Sequence, residues 1–219
     1  MQYFNTLPSI AQLDPYGNTL LVTNLLSRAY LLPSLQNNIY LFYQYDIKIG
    51  DTPENISYRY YNDLNRYWMI MYANGITDPQ WGWPVDDNTF LAYLMDKYTD
   101  VVANTYNVST SNVTSSMVLG YTQATVYNYN QTITTYDTTS TQKQTITIQV
   151  DESTYNQISP STKSISFTNG IVATKITDKS TQSIYDYEIS INESKRTINL
   201  IKSQYAKSVE NQLQTLMSK

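Results

Sequence analysis

A change of hydrophobic period near Tyr106 constrains this 219-residue chain more than any other feature. Before it, apolar residues recur at helical spacing; after it, Thr, Ile, Val and Tyr alternate with polar residues. One kind of element cannot satisfy both periods. The chain therefore reads as α+β, with an α-rich first half, a Thr-rich antiparallel β segment and a closing amphipathic helix. Four segments follow: 1–38, an N-terminal arm and short helix; 39–104, a small module with a following helix; 105–202, the Thr-rich β segment; and 203–219, a C-terminal helix.

In the arm, Pro8, Pro15 and Gly17 interrupt a polar stretch, which predicts extended chain. Thr23 and Asn24 are placed to cap a short helix carrying Leu25, Leu26 and Ala29 and ending before Pro33. Residues 39–49 (IYLFYQYDIKI) read as a strand ended by Gly50. Asp51-Thr52-Pro53-Glu54 reads as a helix start: Asp51 or Thr52 supplies the cap oxygen and Pro53 suits the first turn. Ile56 and Tyr60 share one face of that helix. A second helix fits 64–73, with Trp68, Met71 and Tyr72 as its buried stripe and Asn74-Gly75 as its stop. Asp78-Pro79 and Trp83-Pro84 fix a compact return segment, and Asp86-Asp87 caps a third helix carrying Phe90, Leu94 and Tyr98.

Residues 107–116 read as a polar linker, and everything from Met117 to Ile201 as strands. The expected strands are 121–129, 131–136, 144–150, a hairpin of 163–168 with 170–177 around Asn169-Gly170 as a type I′ turn, and a pair of 183–191 with 197–201. Flat Thr-rich strands of this kind either form a self-sufficient module or are covered by a partner. Residues 203–217 place Tyr205, Val209, Leu213, Leu216 and Met217 at helical spacing.

Composition removes most chemistry. The chain has no Cys and no His, so Ser-His-Asp and Cys-His machinery, zinc–thiolate sites and His-ligated metals are excluded. A net charge of −4 argues against nucleic-acid and anionic-membrane partners, and no stretch approaches the length of a membrane span. Among carboxylate pairs, adjacent residues such as Asp86 and Asp87 point apart. Asp186 and Glu188 are expected on one strand face about 7 Å apart, the only pair with a spacing of interest to a glycosidase. The reading is of no catalytic residue, no cofactor and no metal. Tyrosine is in surplus, at 22 residues, which suits either a protein rich in contact surface or a Tyr-rich sheet face.

Residues 43–84 carry a pattern similar to the LysM module: a strand, Lys-x-Gly-Asp-Thr, two helices, then Asn and a Pro-bearing return. The βααβ order of that module matches through the second helix. The ordered set Gly50, Asp51, Pro53, Tyr61, Trp68, Asn74, Asp78, Pro79, Trp83 and Pro84 more specifically resembles the baseplate wedge subunits of T-even-type contractile-tailed phages, the gene fifty-three product family. The resemblance covers residues ~20–98 and ~184–217; residues 105–183 match no pattern of that family. It implies a structural virion protein of the tail baseplate, assembled in the host cytoplasm and present in several copies. It also implies contacts with other wedge subunits (the core helical bundle), the tail hub and sheath-end subunits, with no enzymatic activity.

Read from the residues, Gly50, Asp51, Pro53, Ile56, Tyr60, Trp68, Asn74, Asp78, Pro79, Trp83 and Pro84 serve the module's core and turns. Tyr3 and Phe4 of the arm, Trp81, and Tyr205, Val209 and Leu213 of the last helix are the expected contact residues. The competing reading is a LysM-type module that binds peptidoglycan, with Tyr and Trp as stacking faces. It lacks a signal peptide, and Pro53-Glu54-Asn55 stands where such modules cradle sugar.

Overall fold

The computed structural model describes residues 7–27, 38–139 and 142–217 and is α+β, with antiparallel sheets throughout. The chain divides into two compact units: residues 1–86 with 192–219, and residues 87–191. The second unit is inserted into the first. The composition change near Tyr106 lies inside it.

The first unit opens with a hairpin, β1 (Ser9–Leu13) paired antiparallel with β2 (Thr19–Thr23). Asp14 closes its turn by accepting from the backbone N–H groups of Tyr16 and Asn18, with Gly17 at positive φ. The expected extended arm is thus a hairpin from Ser9 onward; Tyr3 and Phe4 lie outside the described residues. Leu25 and Leu26 form a turn, with Asn24 Oδ1 accepting from Leu26 N. The rest of that expected helix lies outside the described residues.

Next come β3 (Phe42–Asp46), α1 (Pro53–Tyr61), a 3₁₀ turn (Leu64–Arg66) and α2 (Tyr67–Ala73). Thr52, not Asp51, is the N-cap of α1: its Oγ1 accepts from Asn55 N at 3.2 Å, and Pro53 occupies the first turn. The buried residues of α2 are Trp68, Met69, Ile70 and Ala73, with Met71 and Tyr72 only half-buried. The expected stripe is therefore wrong at two positions: the short helix is surrounded on most sides.

The remaining strand of this module arrives from far along the chain. β8 (Thr197–Ile201) pairs antiparallel with β3, Phe42 opposite Ile201 and Asp46 opposite Thr197. It does not pair with 183–191, of which 184–191 are helical. The result is a βααβ unit whose second strand follows an insertion of over a hundred residues. α7 (Ser203–Met217) then lays Ala206, Glu210, Leu213 and Met217 against the module. One core contains Phe42, Ile47, Ile56, Tyr61, Trp68, Met69, Ile70, Ile198, Leu200, Ile201, Leu213 and Met217.

In the second unit α3 (Asp87–Tyr106) packs on α4 (Ser115–Ala124). The latter replaces the end of the expected linker and the start of the expected strand. Thr114 caps it by accepting from Met117 N. Four strands follow in the order β5-β4-β7-β6: β4 (Val126–Asp137), β5 (Gln144–Val150), β6 (Ser161–Ser166) and β7 (Val172–Ser183), with α5 (Glu152–Gln157) between β5 and β6. The β6–β7 turn is not type I′. Asn169 is not at positive φ; Gly170 alone is, at +82°. Phe167 C=O accepts from Gly170 N, and a single αL glycine returns the chain. α6 (Ile184–Ser194) closes the unit where a strand was expected. Ser183 and Asp186 form a reciprocal cap at its start, Ser183 Oγ accepting from Asp186 N and donating to Asp186 Oδ2.

Candidate functional site

The strand-to-helix turn of the βααβ module is held by one carboxylate. Asp51 accepts from the Tyr45 hydroxyl at 2.7 Å, from Lys48 N at 3.0 Å and from the Arg59 guanidinium. Its own carbonyl accepts from Trp83 Nε1 at 3.0 Å. Burial opposes its charge, but the Tyr45 hydroxyl, the Lys48 N–H and Arg59 together hold the carboxyl below its ordinary range. Gly50 turns the chain at φ +83° just before it. Asp51 therefore joins β3, α1 and the return segment.

Asn74 does the same at the far end of α2. Its Nδ2 donates to Ile70 O and Asn199 O, and its Oδ1 accepts from Asn199 N at 2.8 Å. The amide thus pairs with the backbone of β8 as a neighbouring strand would. Tyr61 adds a buried hydrogen bond to Ile201 O at 2.8 Å, and Ile56, Tyr60 and Trp68 pack in or against the core.

The return segment is a built turn. Asp78 Oδ1 accepts from Gln80 N and Trp81 N, and Asp78 O accepts from Gly82 N. Pro79 is exposed, while Trp83 and Pro84 are half-buried and Trp83 packs on the core. Trp81 keeps 40% of its surface in solvent. A Cβ on Gly82 would lie 2.5 Å from Asp78 O and 2.6 Å from Ile76 Cγ2. Gly82→Ala should therefore cost about 1–3 kcal/mol, seen as a lower midpoint in tryptophan-monitored urea unfolding; an unchanged midpoint would show that this turn adapts freely.

Several apolar side chains remain exposed on the first unit. On one face of the N-terminal hairpin Leu13 and Leu21 are exposed, Leu21 at 78%, and on the other Ile10 and Leu20; Tyr16, Leu25 and Leu26 are exposed as well. A two-stranded hairpin is marginal in water by itself, and neighbouring exposed apolar side chains, here Leu13 with Leu21 on one face, mark an interaction site. Sequence reasoning overlooked this patch because prolines and polar residues obscured the two short strands. An open pocket of about 520 Å³ is lined by Asn38, Ile39, Phe42, Tyr43, Gln44, Asn199 and Lys202. The exposed Tyr43 ring stacks on Tyr60, centroids 6.0 Å apart.

The C-terminal helix does not offer the expected face. Leu213 is 2% exposed and Val209 packs against the unit's own core, so neither is presented to a partner; Tyr205 is exposed. An amphipathic stripe reads alike whether a partner or the chain's own core covers it.

The glycosidase geometry is absent. Asp186 and Glu188 lie on helix α6, and Asp186 is engaged in the cap. Glu188 is 4% exposed and accepts from Lys97 Nζ at 2.7 Å, Tyr98 OH at 2.6 Å and Tyr93 OH at 3.0 Å. Burial works against its charge, but Lys97 and the two tyrosines hold its carboxyl below the ordinary value of 4.5. A carboxylate so saturated with donors holds elements together and is poorly placed to move protons. Among the described residues no group of three acidic side chains is placed to hold a metal, and no helix is long and apolar enough to cross a membrane.

No protein-family model matches the chain, and no curated protein shows significant similarity to it.

Proposed function

We propose that this chain is a structural subunit of a contractile phage tail, a baseplate wedge component that joins neighbouring wedges around the central hub. The observation that carries the reading is the N-terminal hairpin, whose apolar residues stand in solvent beside a βααβ module already closed by its own residues. A module with its own closed core has no internal use for Leu13 and Leu21 side by side on an exposed hairpin face. The βααβ order, with Gly50, Asp51, Asn74 and the Asp78–Pro84 return in structural positions, supports the wedge-family resemblance. The partners proposed are other wedge subunits, including the core helical bundle, the tail hub and sheath-end subunits, with several copies per virion and assembly in the host cytoplasm. No enzymatic role is proposed.

The test is capture of the tagged full chain from phage-infected cells, with the bound proteins identified by mass spectrometry. Tail wedge and hub subunits should be recovered in near-equal amounts. Leu13→Asp with Leu21→Asp should reduce that recovery at least about tenfold, as loss of apolar anchors at an interface core does. Recovery of the chain alone would overturn the reading.

The exposed Tyr43 ring over its pocket favours one competitor, a peptidoglycan-binding module. Saturable pelleting with peptidoglycan, competed by chito-oligosaccharide and lost in Tyr43→Ala, would install that reading instead.

A further inference from the structure

The four-stranded sheet ends in two edges of opposite character. β6 carries Lys163 midway along it, paired with Lys175 of β7. Lysine on an edge strand discourages further pairing. β5, with the sequence QTITIQV, has no charge, no proline and no glycine, and it pairs with β4 in unbroken register from Gln144 to Val150. Among the described residues no strand lies on its other side, and six of its seven residues are exposed. This is an open template for one more strand.

The strand is close to symmetric about its midpoint. Ile146 and Ile148 flank Thr147, Thr145 and Gln149 come next, and Gln144 and Val150 close the ends. We propose that β5 pairs antiparallel with β5 of a second copy of this chain, about a two-fold axis at Thr147. Ile146 then lies opposite the partner's Ile148, and Thr145 opposite the partner's Gln149. No like charges meet, which is the usual obstacle to self-pairing.

A two-fold axis normal to the sheet keeps each face continuous. Ile133, Ile146 and Ile148 share one face by register. The other carries Thr132 paired with Thr147 and Thr134 with Thr145, their hydroxyls 3.4 and 3.1 Å apart. Both the isoleucine stripe and the threonine ladder run on into the second copy. The joined sheet has β6 at both outer edges, each guarded by Lys163. The pairing therefore closes as a dimer instead of growing into a fibre. An isologous contact of this kind does not propagate around a ring, so the proposal stands or falls independently of the tail reading.

The absence of cysteine makes the test direct. Thr147→Cys places a thiol beside its own symmetry mate. Directly opposed residues in paired strands have Cα atoms about 4.5–5.5 Å apart, within the disulfide range of about 4.4–6.8 Å. Under mild oxidation the full-length Thr147→Cys chain should become a covalent dimer on a non-reducing gel. Thr145→Cys, offset from its own mate, and Lys163→Cys, on the opposite edge, should remain monomeric. In sedimentation equilibrium the wild-type chain should be dimeric. Thr147→Lys, with its fold checked by circular dichroism, should raise the dissociation constant at least about tenfold by opposing like charges. Equal cross-linking of the three cysteine variants, faster cross-linking of Thr145→Cys, or a wild-type chain that stays monomeric at high micromolar concentration would overturn the proposal.

Discussion

A chain ending at Ile191 should lose the fold of its first unit outright. The cut removes β8 and α7, and with them Ile198, Leu200, Ile201, Leu213 and Met217, every one of them buried. Each large apolar side chain contributes about 1.5–3 kcal/mol by burial, so five contribute about 8–15 kcal/mol, as much as the whole stability of an ordinary domain at about 5–15 kcal/mol. The cut also strands Asn74 and Tyr61, whose partners Asn199 and Ile201 are gone. All three tryptophans, Trp68, Trp81 and Trp83, belong to the first unit, so their fluorescence reports on it alone. The truncated chain should show the emission of solvent-exposed indole and no cooperative urea transition. A cooperative transition of normal amplitude would mean that β3, α1 and α2 hold together without β8. For the same reason, removing residues 203–219 is a poor test of docking through α7: the loss of Leu213 and Met217 unfolds what the helix covers.

The second large effect belongs to the second unit. Glu188→Ala should destabilise it by about 2–4 kcal/mol: three donors lose a charged acceptor, and the figure is below that of a fully buried ion pair because Lys97 is 44% exposed and rehydrates. The carboxyl titrates below its ordinary 4.5 in the folded protein. Its stabilisation is therefore full above the unfolded value and disappears as pH falls through the folded one. Lys97 is shifted upward through Glu188, against the effect of burial, so its share is full below its ordinary 10.5 and fades as pH rises through the folded value. The stability gap between wild type and Glu188→Gln, followed by far-ultraviolet circular dichroism in urea, should be widest near neutrality and narrow toward acid. A gap that stays constant down to pH 3 would remove the carboxylate's charge from the account.

What the sequence made legible follows from which buried stripes are apolar. α7 was readable from Ser203 to Met217 because Val209, Leu213 and Met217 recur at helical spacing. Its most telling buried residue, Glu210, bonded to Arg66 at 2.9 Å, carries no such signal. α6 reads as a strand in the sequence because Ile184, Tyr185, Tyr187, Ile189 and Ile191 suggest alternation. Its buried stripe is Ile184, Glu188 and Asn192, at i, i+4 and i+8, and two of the three are polar. The Ser183–Asp186 cap was the local sign of a helix. α4 is hidden in the sequence for a related reason, since Thr122 shares its buried side with Val118 and donates to Val118 O. β5 was legible to the residue, because its threonines and isoleucines alternate without interruption. The pairing of β3 with β8 was not, because no local pattern links Phe42 with Ile201. Of the residues expected to make contacts, Trp81 and Tyr205 are exposed, whereas Leu213 faces inward. The hairpin patch emerged only from the fold.

Residues 1–86 and 192–219 form one compact unit, into which 87–191 is inserted. The two ends of the insertion meet: Val85 N donates to Asn192 Oδ1 at 2.9 Å, and Asn192 Nδ2 donates to Val85 O at 3.0 Å. The direct measurement replaces 87–191 with a short Gly-Ser linker and follows urea unfolding by tryptophan fluorescence. The shortened chain should show a single cooperative transition starting from buried-indole emission. A chain that begins with exposed-indole emission and unfolds without a transition would contradict it.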